Sequence, residues 1–225
     1  MSVDVKICGL TTPDALEVAL DAGADLVGFV FYAPSPRHLE LAAAGALGRQ
    51  VGGRAAKVAL TVNADDEYLA AIVEALTPDW LQFHGVEAPV RVAAVRQHFG
   101  IPVMKALAVE AASDLARVPA YADVADRLLF DARAPLEATR PGGLGRRFDW
   151  MLLQGLDPGL GFMLSGGLDA GNVATALAVT RAAGVDVSSG VERAAGQKDP
   201  DMIRAFIAAV RATERSGQSA VASTT

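Results

Sequence analysis

Short apolar runs rich in β-branched and aromatic residues recur along the chain. They lie at Val3–Ile7, Leu26–Phe31, Lys57–Thr61, Trp80–Phe83, Pro102–Ala106, Arg127–Asp131, Phe162–Ser165 and Gly184–Val187. Each has strand length, and most are apolar throughout, the pattern of strands covered on both faces. Between them lie Ala- and Leu-rich stretches with helical spacing, among them Asp14–Ala22, Glu67–Ala75, Val90–Phe99 and Met202–Arg211. Thr12-Pro13 reads as a cap followed by proline at the first helical position, and Asp199-Pro200 repeats that signal before the last helix.

Strands alternating with helices predict a parallel sheet with helices outside it. Eight such units in 225 residues fit an α/β fold of the (β/α)8 TIM-barrel class, near the short end of its range of about 200–400 residues. The competing architecture is an open, doubly wound sheet. It is favoured by a Gly-x-Gly-x-x-Gly turn after the first strand, whereas Cys8-Gly9-Leu10-Thr11-Thr12 carries one glycine. No shift in composition marks a linker. Residues 1–212 therefore read as one (β/α)8 barrel domain, and residues 213–225, small and polar, as a tail expected to fray.

Composition narrows the function classes. Apolar residues make up 52% of the chain and mean hydropathy is +0.29, which excludes disorder of the whole. No run reaches the ~18 apolar residues of a membrane span. The start, Met-Ser-Val-Asp-Val-Lys, lacks the apolar stretch of a secretory signal. Lys and Arg total 20 against 26 Asp and Glu, a net charge of −6, which argues against a protein that neutralises nucleic-acid phosphates. One cysteine and three histidines leave no internal disulfide and no Cys/His metal cluster, and the expected home is the reducing cytoplasm.

Barrel enzymes carry their chemistry where strands end. The unusual polar and glycine residues of this chain collect there: Cys8-Gly9, Ser35-Pro36-Arg37, Gln82-Phe83-His84-Gly85, Asp131, Gly142-Gly143-Leu144-Gly145, Ser165-Gly166-Gly167 and Asp186-Val187-Ser188-Ser189-Gly190. Glycine lets backbone N–H groups approach an anion closely. One Gly-Gly pair is most often only a tight turn; three such turns on neighbouring strands favour a phosphate site formed after the last strands. A lone cysteine is usually a small buried hydrophobe. Cys8, however, ends an inward-reading strand and shares a face with Lys6, whose ammonium favours thiolate. Strands one and eight are neighbours in a closed barrel, which places Lys6 to pair with Asp186. Asp131 caps a turn or serves as an acid; with Cys8 as base across the barrel, it suits a proton-moving isomerase. Arg37 is either a solvated cation or a fork for a planar carboxylate, and His84 either a structural residue or a substrate contact.

The same residues resemble phosphoribosylanthranilate isomerase. The resemblance is carried by Lys6-Ile7-Cys8-Gly9-Leu10-Thr11, Gly28-Phe29-Val30-Phe31 with Ser35-Pro36-Arg37, and Leu81-Gln82-Phe83-His84-Gly85. Phe148-Asp149-Trp150, Ser165-Gly166-Gly167-Leu168 with Asn172-Val173, and Asp186-Val187-Ser188-Ser189-Gly190-Val191-Glu192 complete it. It spans residues 5 to about 207. It implies a barrel enzyme of tryptophan biosynthesis that performs an Amadori rearrangement of a phosphorylated small molecule without a cofactor. Carried over by position, Cys8 is the general base and Asp131 the general acid. Arg37 binds the anthranilate carboxylate, with Gln82, His84, Gly143, Gly145 and Asp186 as further substrate contacts. Gly166, Gly167, Ser189 and Gly190 bind the phosphate. No metal, membrane or nucleic-acid partner is implied, and a monomer is expected. The chain departs from the family pattern at Leu144, where threonine is common. It also departs along Ala59-Leu60-Thr61-Val62-Asn63, and before Gly196, which lacks an often-present proline.

Overall fold

The computed structural model describes residues 2–135, 137–138, 140–157 and 159–222, residues 216–222 as backbone. Eight parallel strands close into a barrel in chain order: β1 (Asp4–Cys8), β2 (Leu26–Phe31), β3 (Ala56–Thr61), β4 (Trp80–Phe83), β5 (Val103–Val109), β6 (Arg127–Ala132), β7 (Phe162–Leu164) and β8 (Gly184–Val187). Outside them run α1 (Pro13–Asp21), α2 (Leu41–Val51), α3 (Asp66–Leu76), α4 (Pro89–Phe99), the short α5 (Val118–Ala122), α6 (Val173–Thr180) and α7 (Pro200–Ala222). Local chemistry sets their ends. Thr12 accepts from Ala15 N–H and Asp65 from Tyr68 N–H at helix starts, while Gly52 and Gly100 end α2 and α4 at positive φ.

The barrel departs from eight uniform βα units. A 3-10 turn (Ala112–Arg117) precedes α5, and a second (Trp150–Gly155) stands where the helix after β6 is expected. After β8 the chain makes a small hairpin, β9 (Glu192–Ala194) with β10 (Gln197–Lys198), which no apolar pattern announces because it is mostly solvent-facing. The last helix runs on to Ala222, past the position where a polar tail is expected. Glu214 explains part of that: its carboxylate accepts Val3 N–H at 2.6 Å and Arg211 at 3.1 Å, tying the helix to the start of β1. Residues 223–225 of the expected tail lie outside the described residues.

Inside the barrel the strands contribute layers. Leu26, Val58, Met104, Ala106, Leu129 and Met163 form an apolar plug. Cys8, Val30 and Leu60 form a smaller apolar cluster at the mouth. At the other end, carboxylates just ahead of even strands cap the odd strands before them. Asp25 accepts Val5 N–H at 2.7 Å, Asp79 accepts Lys57 N–H at 2.7 Å and Asp126 accepts Val103 N–H at 2.8 Å. This end satisfies backbone and serves stability, leaving the mouth for chemistry.

One buried ion pair fastens the turn between β4 and α4. Lys105 on β5 donates to Glu87 at 2.8 Å, to Gly85 O at 2.7 Å and to Phe83 O at 3.3 Å. Glu87 also accepts the N–H groups of Asn63 and Gly85, and Tyr121 Oη donates to its backbone carbonyl at 2.9 Å. Burial pushes the Lys105 ammonium below its ordinary range despite Glu87. Removing one partner of such a pair leaves a buried charge alone. Glu87→Ala is expected to cost about 3–5 kcal/mol of unfolding free energy, read from the urea midpoint; a loss below about 1 kcal/mol, the range of an exposed pair, contradicts this account.

Candidate active site

The C-terminal strand ends open into a cleft. Cys8, Arg37, His84, Gly143, Gly145, Asp131, Gly166, Gly167, Asp186, Ser189 and Gly190 all line it. Gln82, expected to touch substrate, does not: it is fully buried beneath the floor. Strand alternation explains the difference, because residue 82 points inward one step deeper than residue 84. Gln82 instead acts on the histidine. Its Nε2 lies 3.1 Å from His84 Nδ1. With the amide donating there, His84 Nε2 carries the ring proton and donates to Asp131 Oδ2 at 3.1 Å. Asp131 Oδ1 accepts Ala132 N–H at 2.8 Å, so both carboxyl oxygens are held.

Across the cleft, β1 pairs with β8 so that Lys6 stands opposite Asp186. The ammonium donates to Asp186 at 2.8 Å with no side-chain exposure, and Ser165 Oγ donates to the other carboxylate oxygen at 3.2 Å. Gly28 makes room for this arrangement. A Cβ there would stand 2.9 Å from Cys8 Sγ and 3.0 Å from Lys6 Nζ, so thiol and ammonium share one small space. Burial draws the Lys6 ammonium down, but Asp186 and Cys8 together hold it above its ordinary range. The thiol behaves otherwise than the sequence suggests. Burial pushes Cys8 up, with Asp186 adding to the rise, and Lys6 offsets only part of it. The lysine moderates a desolvated thiol; it does not bring the thiol below its usual range.

Arg37 is not a solvated cation. Its residue is 3% exposed, and its fork is closed on Glu192, Nε to Oε1 and Nη2 to Oε2, both at 2.7 Å. Nη2 also donates to Gly143 O at 3.2 Å. Lys198 joins from β10, donating to Glu192 at 2.7 Å and to Ser188 O at 2.9 Å. Burial opposes ionisation of Glu192, yet Arg37 and Lys198 hold its carboxyl below the usual range, while burial pushes Lys198 down.

The glycine turns form the opposite rim. Among the described residues, none of the N–H groups of Gly166, Gly167, Ser189 and Gly190 donates to a protein acceptor. They are donors ready for an anion. Arg133, Arg140 and Arg146 also line the cleft; Arg133 is matched by Glu110 and Asp114, while Arg140 and Arg146 add positive charge at the mouth of an acidic protein. Sequence reasoning missed these arginines, and also Glu192 and Lys198. Single charged residues in loops carry no periodic signal, although Glu192 closes a quoted motif.

Residues 5–209 match the family profile described as N-(5'phosphoribosyl)anthranilate (PRA) isomerase. The chain is 65% identical over 212 residues to an N-(5'-phosphoribosyl)anthranilate isomerase of Rhodopseudomonas palustris, covering 94% of this chain and all of that protein. It is similar to a crystal structure of phosphoribosyl anthranilate isomerase in complex with reduced 1-(o-carboxyphenylamino)-1-deoxyribulose 5-phosphate, with a TM-score of 0.81 and 31% identity, covering 93% and 99% of the two chains. It is similar also to monomers of the dimeric phosphoribosylanthranilate isomerase from Thermotoga maritima, with a TM-score of 0.80 and 32% identity over 93% and 99%. From residue 5 of β1 to residue 209 of the last helix, the chain belongs to the N-(5'-phosphoribosyl)anthranilate isomerase family.

Proposed function

We propose that the chain converts N-(5-phosphoribosyl)anthranilate to 1-(2-carboxyphenylamino)-1-deoxyribulose 5-phosphate with Asp131 as general acid and Cys8 as general base. The observation that carries this reading is convergence. A thiol, a carboxyl, a guanidinium and four undonated backbone amides face one cleft. Asp131, carrying a proton, delivers it to the furanose ring oxygen as the nitrogen lone pair expels the C1–O bond. The product of that step is an open-chain iminium ion. The thiolate fraction of Cys8, which burial keeps small and Lys6 favours, then takes the C2 proton, and the released electron pair neutralises the iminium nitrogen. The resulting enolamine loses its C2 hydroxyl proton and gains one at C1, giving the amino ketone. No cofactor enters these steps.

The rest of the cleft binds. Arg37 keeps Nη1 without a hydrogen-bond partner among the described residues, which suits it to the anthranilate carboxylate. Gly166, Gly167, Ser189 and Gly190 offer their N–H groups to the 5'-phosphate. His84, Gly143, Gly145 and Asp186 face the sugar. Leu144 supplies no hydroxyl, so in this reading the loop after β6 contributes backbone only. A reducing cytoplasm suits a lone catalytic thiol, and we take the chain to work as a monomer.

Freshly prepared phosphoribosylanthranilate, followed by loss of its fluorescence, tests the chemistry. Cys8→Ala and Asp131→Asn are each expected to lower kcat/KM by roughly 10²–10⁴-fold; wild-type turnover no faster than either variant overturns the assignment. The thiol can be read separately, since Cys8 is the chain's one cysteine. Lys6→Met removes the cation beside it, so the pH midpoint of iodoacetamide alkylation is expected to rise; a midpoint that stays or falls contradicts the role given to Lys6. Light scattering is expected to return one chain mass, 23.3 kDa, and twice that mass refutes the monomer.

A further inference from the structure

Recognition of a carboxylate by Arg37 depends on how the guanidinium is held. Arginine on a flexible stem binds any anion that arrives, whereas a fixed fork selects by geometry. Here the fixing comes from a residue outside the proton-transfer chemistry. Glu192 occupies Nε and Nη2 at 2.7 Å each, and Gly143 O takes a further Nη2 proton. The plane of the guanidinium is thereby set, and Nη1 is the edge left for a ligand.

A carboxylate this close would by itself neutralise Arg37 and repel a second carboxylate. Lys198 removes that objection. It binds the same Glu192 Oε1 at 2.7 Å, and all three side chains are at most 4% exposed. Two buried cations share one buried anion, so the triad keeps one net positive charge, the charge of a single carboxylate partner. The β9–β10 hairpin holds the set in place. Gly196 N–H donates to Glu192 Oε2 at 3.1 Å, and a Cβ at Gly196 would stand 2.5 Å from Pro36 O, directly before Arg37. The hairpin therefore packs against the loop that carries the arginine, with no room for a side chain between them.

We propose that Glu192, clamped by Lys198, is a positioning residue that presents Nη1 of Arg37 as a fixed receptor and so sets the preference for an arylamine bearing a carboxylate. The proposal rests on the reading that Arg37 receives that carboxylate. Its consequence is a separation of tasks: the hairpin decides which aromatic end is accepted, while the glycine turns hold the phosphate regardless.

The test uses two inhibitors measured by calorimetry. One is reduced 1-(2-carboxyphenylamino)-1-deoxyribulose 5-phosphate and the other is the same compound without the carboxylate. Their affinity ratio in the wild type defines the preference. Glu192→Gln is expected to lower that ratio by about tenfold or more, the loss of a hydrogen bond to a charged group. Binding of inorganic phosphate is expected to be unchanged, KM to rise, and kcat to stay within a few-fold. Arg37→Lys separates the two levels. A ratio that survives Arg37→Lys overturns the carboxylate reading itself. A ratio lost in Arg37→Lys but kept in Glu192→Gln overturns the positioning role alone. Should Glu192→Gln fail to fold, Lys198→Met serves instead: it returns the triad to neutrality and is expected to lower the ratio, and an unchanged ratio refutes the proposal.

Discussion

Closing a sheet on itself forces the first strand against the last, and the pair at that seam is Lys6 with Asp186, a buried ion pair at 2.8 Å. Much of the mouth is arranged around that contact. The ammonium cannot leave the barrel without stranding the carboxylate, so β1 is held in register with β8. Register then places Cys8 two residues further along, at the rim and not below it. Gly28 on the neighbouring strand yields the space in which thiol and ammonium meet. A purely apolar pair at the seam would close the barrel as well, and replacing buried pairs with hydrophobes is often neutral or stabilising. What the ion pair adds is a charge next to the desolvated thiol.

The same economy of charge recurs around the cleft. Each buried cation near the mouth is paired with a buried anion: Lys6 with Asp186, Lys105 with Glu87, and Arg37 and Lys198 together with Glu192. Buried charges are tolerated only when so matched. The pairs differ in what they leave over. Lys105 and Glu87 cancel and serve the backbone of one turn. The Glu192 triad leaves a positive charge directed at the cleft. His84 stands between these extremes, bridging the buried Gln82 amide and the Asp131 carboxyl. A net charge of −6 over the chain therefore coexists with a cleft suited to a phosphate and a carboxylate, because local geometry outweighs the total at these distances.

How much of this the sequence carried differs by residue. β2, β4 and β8 begin and end at the predicted residues: β2 is apolar throughout, as a strand buried on both faces is, and β4 and β8 are short apolar runs broken by one polar residue each, Gln82 and Asp186. β5 runs three residues beyond its prediction, to Val109, because its final residues are as apolar as its first and nothing marks the stop. The hairpin of β9 and β10 left no pattern, being short and mostly exposed. At the site, Cys8, Arg37, Asp131, Asp186 and the glycine turns were legible as polar or small residues ending apolar runs. Gln82 was legible as polar but not as buried.

The sequence by itself determined the order of strands and helices, the barrel class and the strand-end positions of Cys8, Asp131 and Asp186. These follow from local periodicity, which is written over a few residues at a time. Only the tertiary structure decided which charge meets which. Arg37 and Glu192 are 155 residues apart in the chain and Lys6 and Asp186 are 180 apart, distances over which no periodicity carries information. Barrel closure and the hairpin bring them together. Burial then turns the thiol's ionisation away from what its lysine neighbour alone suggests, because the loss of water acts on Cys8 more strongly than one nearby charge.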